Sequence, residues 1–240
     1  MARSLALTVE HRQFFFGNGY LTIENVLAPS LCAKVYTDLV ASWRARGGGL
    51  NALGELKSSA AGRDMWRQCS SWKVPLIRGV LGECIAQMWS LTPIRLLYDQ
   101  LLPPPCALGD PHQPYRTFRL DAISSFTEVL GGYLMCVQAK SPESTRLSVG
   151  LPKTHHRHQA HMHVKCSAGT GVFIGPETEV NLIGENSRED FATSMWILAV
   201  VGKLGARYAP CHNDPVRQGL MDLEYASGDA LRLETHPSLR

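Results

Sequence analysis

Histidine is the residue type whose spacing in this chain suggests chemistry. Five of the nine histidines fall within Thr154-His-His-Arg-His-Gln-Ala-His-Met-His163. Neutral imidazole is a common ligand for zinc, iron and copper, so such a cluster raises the expectation of a metal site. On an extended strand His161 and His163 face the same way, because residues two apart share a side, and Cys166 or Glu177 could join them. His155, His156 and His158 are spaced to cap the preceding turn. The plainer alternative is a polar, partly exposed loop and strand, and both readings stay open. His212-Asn213-Asp214 is the only literal His-x-Asp, and the one histidine after it, His236, follows 24 residues on. That interval is too short for the strands that separate such ligands, and Asn213-Asp214-Pro215 reads better as a turn.

Composition narrows the alternatives. The chain has 240 residues, 45% hydrophobic and 19% charged, which excludes a disordered protein. Its 24 basic and 21 acidic residues leave a net +3 with no basic run, so a dedicated nucleic-acid binder is not expected. The longest apolar run, Met195-Trp-Ile-Leu-Ala-Val-Val201, is too short to span a bilayer. The stretch from Met1 to Glu10 is too soon charged for a signal peptide. Seven cysteines, an odd number without any C-x-x-C, point to free thiols in a reducing compartment, and a cytoplasmic location is expected. Phosphate-binding loops, nucleophile elbows and H-E-x-x-H are absent.

The elements that must position these residues follow from periodicity. Residues 14–27 read as an aromatic anchor, a Gly-Asn-Gly turn and a short strand. Pro29 suits a first helical turn, Leu31, Val35, Leu39 and Trp43 form one apolar stripe, and Gly47-Gly-Gly49 ends it. Residues 47–73 are Gly/Ser-rich and predict an exposed loop; a second helix is expected over about 75–91. After Pro93 the period shortens. Strand-like runs occupy 94–102, 132–138, 149–151, 161–166, 171–174, 179–183 and 194–201. Asp99 lies in an apolar strand, so burial with a hydrogen-bond partner is expected. Trp43, Trp66, Trp72 and Trp89 are expected as core anchors. The fold class predicted is mainly β, a sandwich or barrel with helices packed outside. A single domain over 1–240 is expected: an N-terminal strand and helices (14–92), a β core (93–201) and a C-terminal extension (202–240).

Several segments, in order, resemble the phytanoyl-CoA dioxygenase family of non-haem iron, 2-oxoglutarate oxygenases. Phe16-Gly-Asn-Gly-Tyr-Leu-Thr-Ile-Glu-Asn-Val-Leu-Ala-Pro-Ser30 resembles that family's opening strand and helix start. Arg95 to Pro105 resembles the strand leading to its metal-binding loop, and Gly132 to Gln138 with Leu151-Pro-Lys-Thr-His155 its central strand and Pro-Gly-Ser-His turn. Ser167 to Ile174 and Asn181-Leu-Ile-Gly-Glu-Asn-Ser187 are similar to its Ala-Gly-Asp turn and distal-histidine segment. The resemblance implies a double-stranded β-helix, a cupin-like jelly roll. It also implies a facial triad of two histidines and one carboxylate on Fe(II), with open positions for 2-oxoglutarate and oxygen.

Carried over residue by residue, the His-x-Asp pair falls on His112-Gln113-Pro114 and the distal histidine on Asn181. Proline cannot ligate iron, and a neutral amide replaces the imidazole. Arg188 is the nearest candidate for the cosubstrate anchor, about three residues early. Asp121 or Glu128 could offer a displaced carboxylate, with a solvated charge the simpler reading. Two expectations follow from the resemblance. One is a pseudo-enzyme that keeps the fold as a binding or scaffold module, with a small molecule in the barrel or a protein as partner. The other is an active oxygenase using Fe(II) and 2-oxoglutarate through shifted ligands, with His161 and His163 as alternative metal residues. A structural zinc site on the histidine cluster is a third, weaker idea.

Overall fold

Thr8 opens the first element by accepting a hydrogen bond from the His11 amide while the His11 ring accepts from the Thr8 amide, and α1 (Val9–Asn18) ends at Gly19 with φ 77°. This computed structural model describes residues 6–49, 58, 60–90, 93–102, 117–139, 146–150, 161–183, 194–215 and 218–239. The sequence reading missed α1 because it has no apolar stripe: Phe15 is buried, whereas Phe14 and Phe16 are 43% and 63% exposed. Next come β1 (Tyr20–Ile23) and α2 (Pro29–Ala45), which buries Cys32, Val35, Leu39 and Trp43 as its spacing predicts.

The stretch after α2 corrects one expectation. Ala61, Met65, Trp66, Cys69 and Trp72 are buried, so 60–73 is packed and not an exposed loop. The cause is Asp99, which accepts from the Met65 amide at 2.6 Å, the Trp66 amide at 3.0 Å and the Trp72 indole N–H at 2.6 Å. One buried carboxylate thus satisfies three donors and ties this stretch to the sheet. The expected second helix is two, α3 (Ser70–Arg78) and α4 (Val80–Trp89), broken at Gly79. Pro75 cannot donate a backbone bond, and a Cβ on Gly79 would lie 2.9 Å from the Pro75 Cα.

The strands are β2 (Ile94–Leu102), β3 (Thr117–Phe118), β4 (Val129–Ala139), β5 (Arg146–Gly150), β6 (His161–Lys165), β7 (Gly171–Ile174), β8 (Glu179–Ile183), β9 (Ser194–Gly202) and β10 (Ser238–Leu239). Two short helices, α5 (Leu120–Ile123) and α6 (Gln218–Met221), lie among them. The strands form a six-stranded antiparallel sheet, β1-β7-β4-β9-β2-β10, and a four-stranded one, β3-β8-β5-β6. The larger sheet is apolar on both faces. Tyr133, Met135, Phe173, Ile197 and Ala199 pack with α2, α3 and α4. Leu134, Cys136, Val172, Trp196 and Leu198 pack with Leu147, Val149, Val180 and Leu182 of the smaller sheet. The protein is therefore mostly β, with helices covering one face of the larger sheet. No helix among the described residues is long and apolar enough to cross a membrane.

Tyr133 carries a polar atom into the helix-facing layer. Its hydroxyl is buried without a hydrogen-bond partner and stands where a Cβ on Gly171 would be, 1.8 Å away, so only glycine fits beneath it. An orphaned hydroxyl costs about 1 kcal/mol or more. Tyr133→Phe is therefore expected to leave denaturant stability unchanged or raise it by about 1 kcal/mol; a loss of that size would show that the hydroxyl is satisfied.

Asp99 makes stability depend on pH. Burial, with Asp64 nearby, pushes its carboxyl up to about 7, against 3.8 ordinarily. Between these values the unfolded carboxyl is ionised and the folded one holds its proton, so this group's contribution falls as pH rises through that window. Urea titrations from pH 4 to 8 should show the slope, and Asp99→Asn, less stable throughout because one acceptor oxygen becomes an N–H donor, should remove it. An unchanged slope in that variant would contradict the assignment.

Candidate functional site

The expected site residues are not gathered into one cluster by the described structure. His112, Arg188 and the histidines at 155, 156 and 158 lie outside the described residues. On the smaller sheet Asn181 of β8 stands opposite Ser148 of β5, which stands opposite His163 of β6; Thr117 of β3 flanks Asn181 on its other side. Val180 and Leu182 belong to the core between the sheets, so Asn181 faces away from it. His163 is exposed, and His161 lies opposite Gly150, its side chain outside the described residues. Cys166 is buried with its thiol directed at the Val164 carbonyl. Asp121 pairs with Arg119, and Glu128 lies 3.8 Å from Lys203 on the surface. Among the described residues no three His, Cys, Asp or Glu side chains could hold a metal ion together.

A different constellation stands where the larger sheet nears its β2 edge. Tyr98 of β2 belongs there to the core between the sheets, which also takes in Phe126, Tyr208, Leu220, Tyr225 and Leu231. Under this cover the Arg63 guanidinium lies 3.6 Å from the Tyr98 ring centroid and donates to Asp214 at 2.8 Å. The two charged side chains are 9% and 0% exposed. The Tyr98 hydroxyl shares a 3.2 Å hydrogen bond with Ser124. Burial raises the Tyr98 phenol, with Arg63 opposing and Asp214 reinforcing the shift. Asp214 ends a turn closed by its amide on the Cys211 carbonyl at 3.2 Å, and the Cys211 amide donates to the Ser125 hydroxyl at 3.1 Å. His212 and Asn213 are exposed, so the His-x-Asp is a turn, as its sequence predicts, with its aspartate turned inward.

An open pocket of about 420 Å³ lies at α5. Phe118 and Arg119, with Ala122 and Ile123 of α5, form one side; Glu179 and Asn213 form another. Asn213 and Ile123 each precede in sequence a residue of the buried cluster, Asp214 and Ser124. Sequence reasoning missed Arg63, which sits in the stretch expected as exposed. The available signal was Met65-Trp66, an apolar pair in polar surroundings.

His236 locks the C-terminal cover. Its ring nitrogen lies 3.2 Å from the Tyr225 hydroxyl and 2.9 Å from the Thr235 hydroxyl, and Arg95 donates to its carbonyl at 2.9 Å. Burial takes this imidazole down to about 3, with Arg67, Arg95, Arg232 and Arg63 adding to the effect. The unfolded ring binds its proton near 6.5 while the folded ring stays neutral, so stability is lost as pH falls from about 6.5 toward 3. Acid unfolding followed by tryptophan fluorescence should show this loss, with His236→Gln losing less than the wild type over that range. Equal losses would contradict it.

No family model matches the chain, and no curated protein sequence matches it significantly. Solved structures do share its fold. The non-haem, alpha-ketoglutarate-dependent carbocyclase SnoK of nogalamycin biosynthesis superposes with a TM-score of 0.74 at 15% identity, over 98% of this chain and 97% of that one. The epimerase SnoN of the same biosynthesis, also alpha-ketoglutarate-dependent, gives 0.72 at 13% identity over 96% and 98%. CytC3 with Fe(II) and alpha-ketoglutarate gives 0.63 at 10% identity over 98% and 89%. The chain thus has the fold found in these iron, alpha-ketoglutarate-dependent enzymes.

Proposed function

We propose that this chain is a jelly-roll protein of the phytanoyl-CoA dioxygenase kind that has lost the Fe(II)/2-oxoglutarate site and acts as a binding module. Support for the jelly roll comes from the chain path. It passes from the larger sheet (β2) to the smaller (β3) and back (β4), forms the β5–β6 hairpin in the smaller sheet, then crosses to β7, β8 and β9 in alternation. The observation that carries the loss of the site is Asn181. At the position expected for the distal histidine stands a neutral amide, on the face of the smaller sheet opposite the core between the sheets. Pro114 likewise has no side-chain atom for a metal. The residues at these positions do not fit Fe(II). Barrel and sandwich proteins take ligands between their layers, so a small molecule is the favoured partner.

A second reading is an active oxygenase with displaced ligands. It is favoured by the near full-length likeness to SnoK and SnoN and by His112. Anaerobic titration with Fe(II) and 2-oxoglutarate separates the two. The binding module gives no visible charge-transfer band and forms no succinate in air, and His112→Ala changes nothing. A band of one iron per chain that His112→Ala abolishes would overturn the proposal in favour of the oxygenase.

A further inference from the structure

Helix α3 turns two of its apolar side chains away from the core. Trp72, Pro75 and Leu76 are buried, whereas Val74 is 63% exposed and Ile77, three residues on, is half-buried. The segment leading into β10 adds Leu233, 57% exposed, and the half-buried Pro237 to the same face. Two open hollows meet there, one of about 360 Å³ and one of about 780 Å³. Ile77, Arg78, Leu233 and Pro237 line both hollows, so they stand at the boundary between them. Lys73 and Glu234 line only the smaller hollow, and Glu83 only the larger. Lys73, Arg78, Glu83 and Glu234 are exposed, two of each sign, and none belongs to an ion pair among the described residues. Lys73 instead lies 5.5 Å from the Trp66 ring centroid. Exposed apolar side chains scattered singly are ordinary; a contiguous group with a charged rim marks an interaction surface.

We propose that this face joins two copies of the chain about a two-fold axis at the boundary between the hollows. Two observations favour a second copy over another occupant. The face carries both an exposed Leu233 and hollows on either side of it, so it offers a projecting side chain together with places that receive one. Such a surface is complementary to itself, which a two-fold interface requires. The rim charges also balance while remaining unpaired within the chain. A nucleic acid, an anionic membrane or an acidic peptide would call for one sign, whereas a second copy supplies both. About this axis the smaller hollow of one copy faces the larger hollow of the other. Lys73 of each copy therefore meets Glu83 of the other, and the contact occurs twice. Leu233 and Val74 supply the apolar centre of the contact, which the charged rim surrounds. This face uses none of the residues expected for iron, and it stands whether or not the oxygenase chemistry is lost.

Sedimentation velocity on the full chain, across about a hundredfold range of concentration, should show a monomer–dimer equilibrium with no larger species. Leu233→Glu changes an exposed position and leaves the core intact. It should weaken the dimer at least about tenfold, because a carboxylate would be buried against apolar side chains. Phe16→Glu, at a similarly exposed position on α1, should leave association unchanged. Lys73→Glu and Glu83→Lys should each weaken it about fivefold, since each sets like charges together twice. An equimolar mixture of those two variants should recover the wild-type association, because opposite charges again face each other in both contacts. Recovery on mixing is specific to a two-fold contact between copies. A monomer at every concentration, growth beyond the dimer, a dimer indifferent to Leu233→Glu, or no recovery in the mixture would each overturn the proposal.

Discussion

The larger sheet is apolar on both faces, and the rest of the molecule follows from having to cover it. Strand β9 is buried along its whole length, so neither face of the sheet centre can meet water. One face takes the amphipathic α2, α3 and α4, and the other takes the inner side of the smaller sheet. At about 25 cal/mol per Å² of apolar surface, this two-sided burial is the main source of stability. Both covers must therefore be built from whatever segments the chain has left.

Two places need more than apolar contact. On the helix side, the segment before α3 is too short and irregular to pair its own amides, and Asp99 supplies the missing acceptor from the sheet. On the opposite side, Tyr208, Leu220, Tyr225 and Leu231 of the C-terminal stretch join the core between the sheets. That closure brings arginines together: Arg63, Arg67, Arg95 and Arg232 all act on His236. Of these, Arg63 and Arg95 are buried and take Asp214 and the His236 carbonyl as partners, while the exposed Arg67 reaches the Glu234 carbonyl. The buried Arg63–Asp214 pair over Tyr98 is part of that closure.

Much of the strand order was legible because antiparallel strands buried on both faces leave dense apolar runs between Gly, Pro and Ser. The runs at 94–102, 171–174 and 179–183 coincide with β2, β7 and β8. Asp99 was legible too, since an acid in such a run has to be satisfied. What stayed hidden depended on contacts distant in sequence. The 60–73 stretch looks exposed because its packing rests on an acceptor 27 to 34 residues further on. The Arg63–Asp214 pair spans 151 residues, so no local pattern shows that the two meet. The resemblance to iron, 2-oxoglutarate oxygenases came from segment order, and the shared fold supports it at that level.

The proposed loss of the iron site rests on residue chemistry at two positions. Where the family resemblance expects a carboxylate and an imidazole the sequence has Pro114 and Asn181, and Val180 and Leu182 on either side of Asn181 face the core. The most direct measurement is the iron retained per chain after anaerobic loading with excess Fe(II) and gel filtration, read by elemental mass spectrometry. The account predicts iron far below one atom per chain. One iron per chain, retained through filtration, would contradict it.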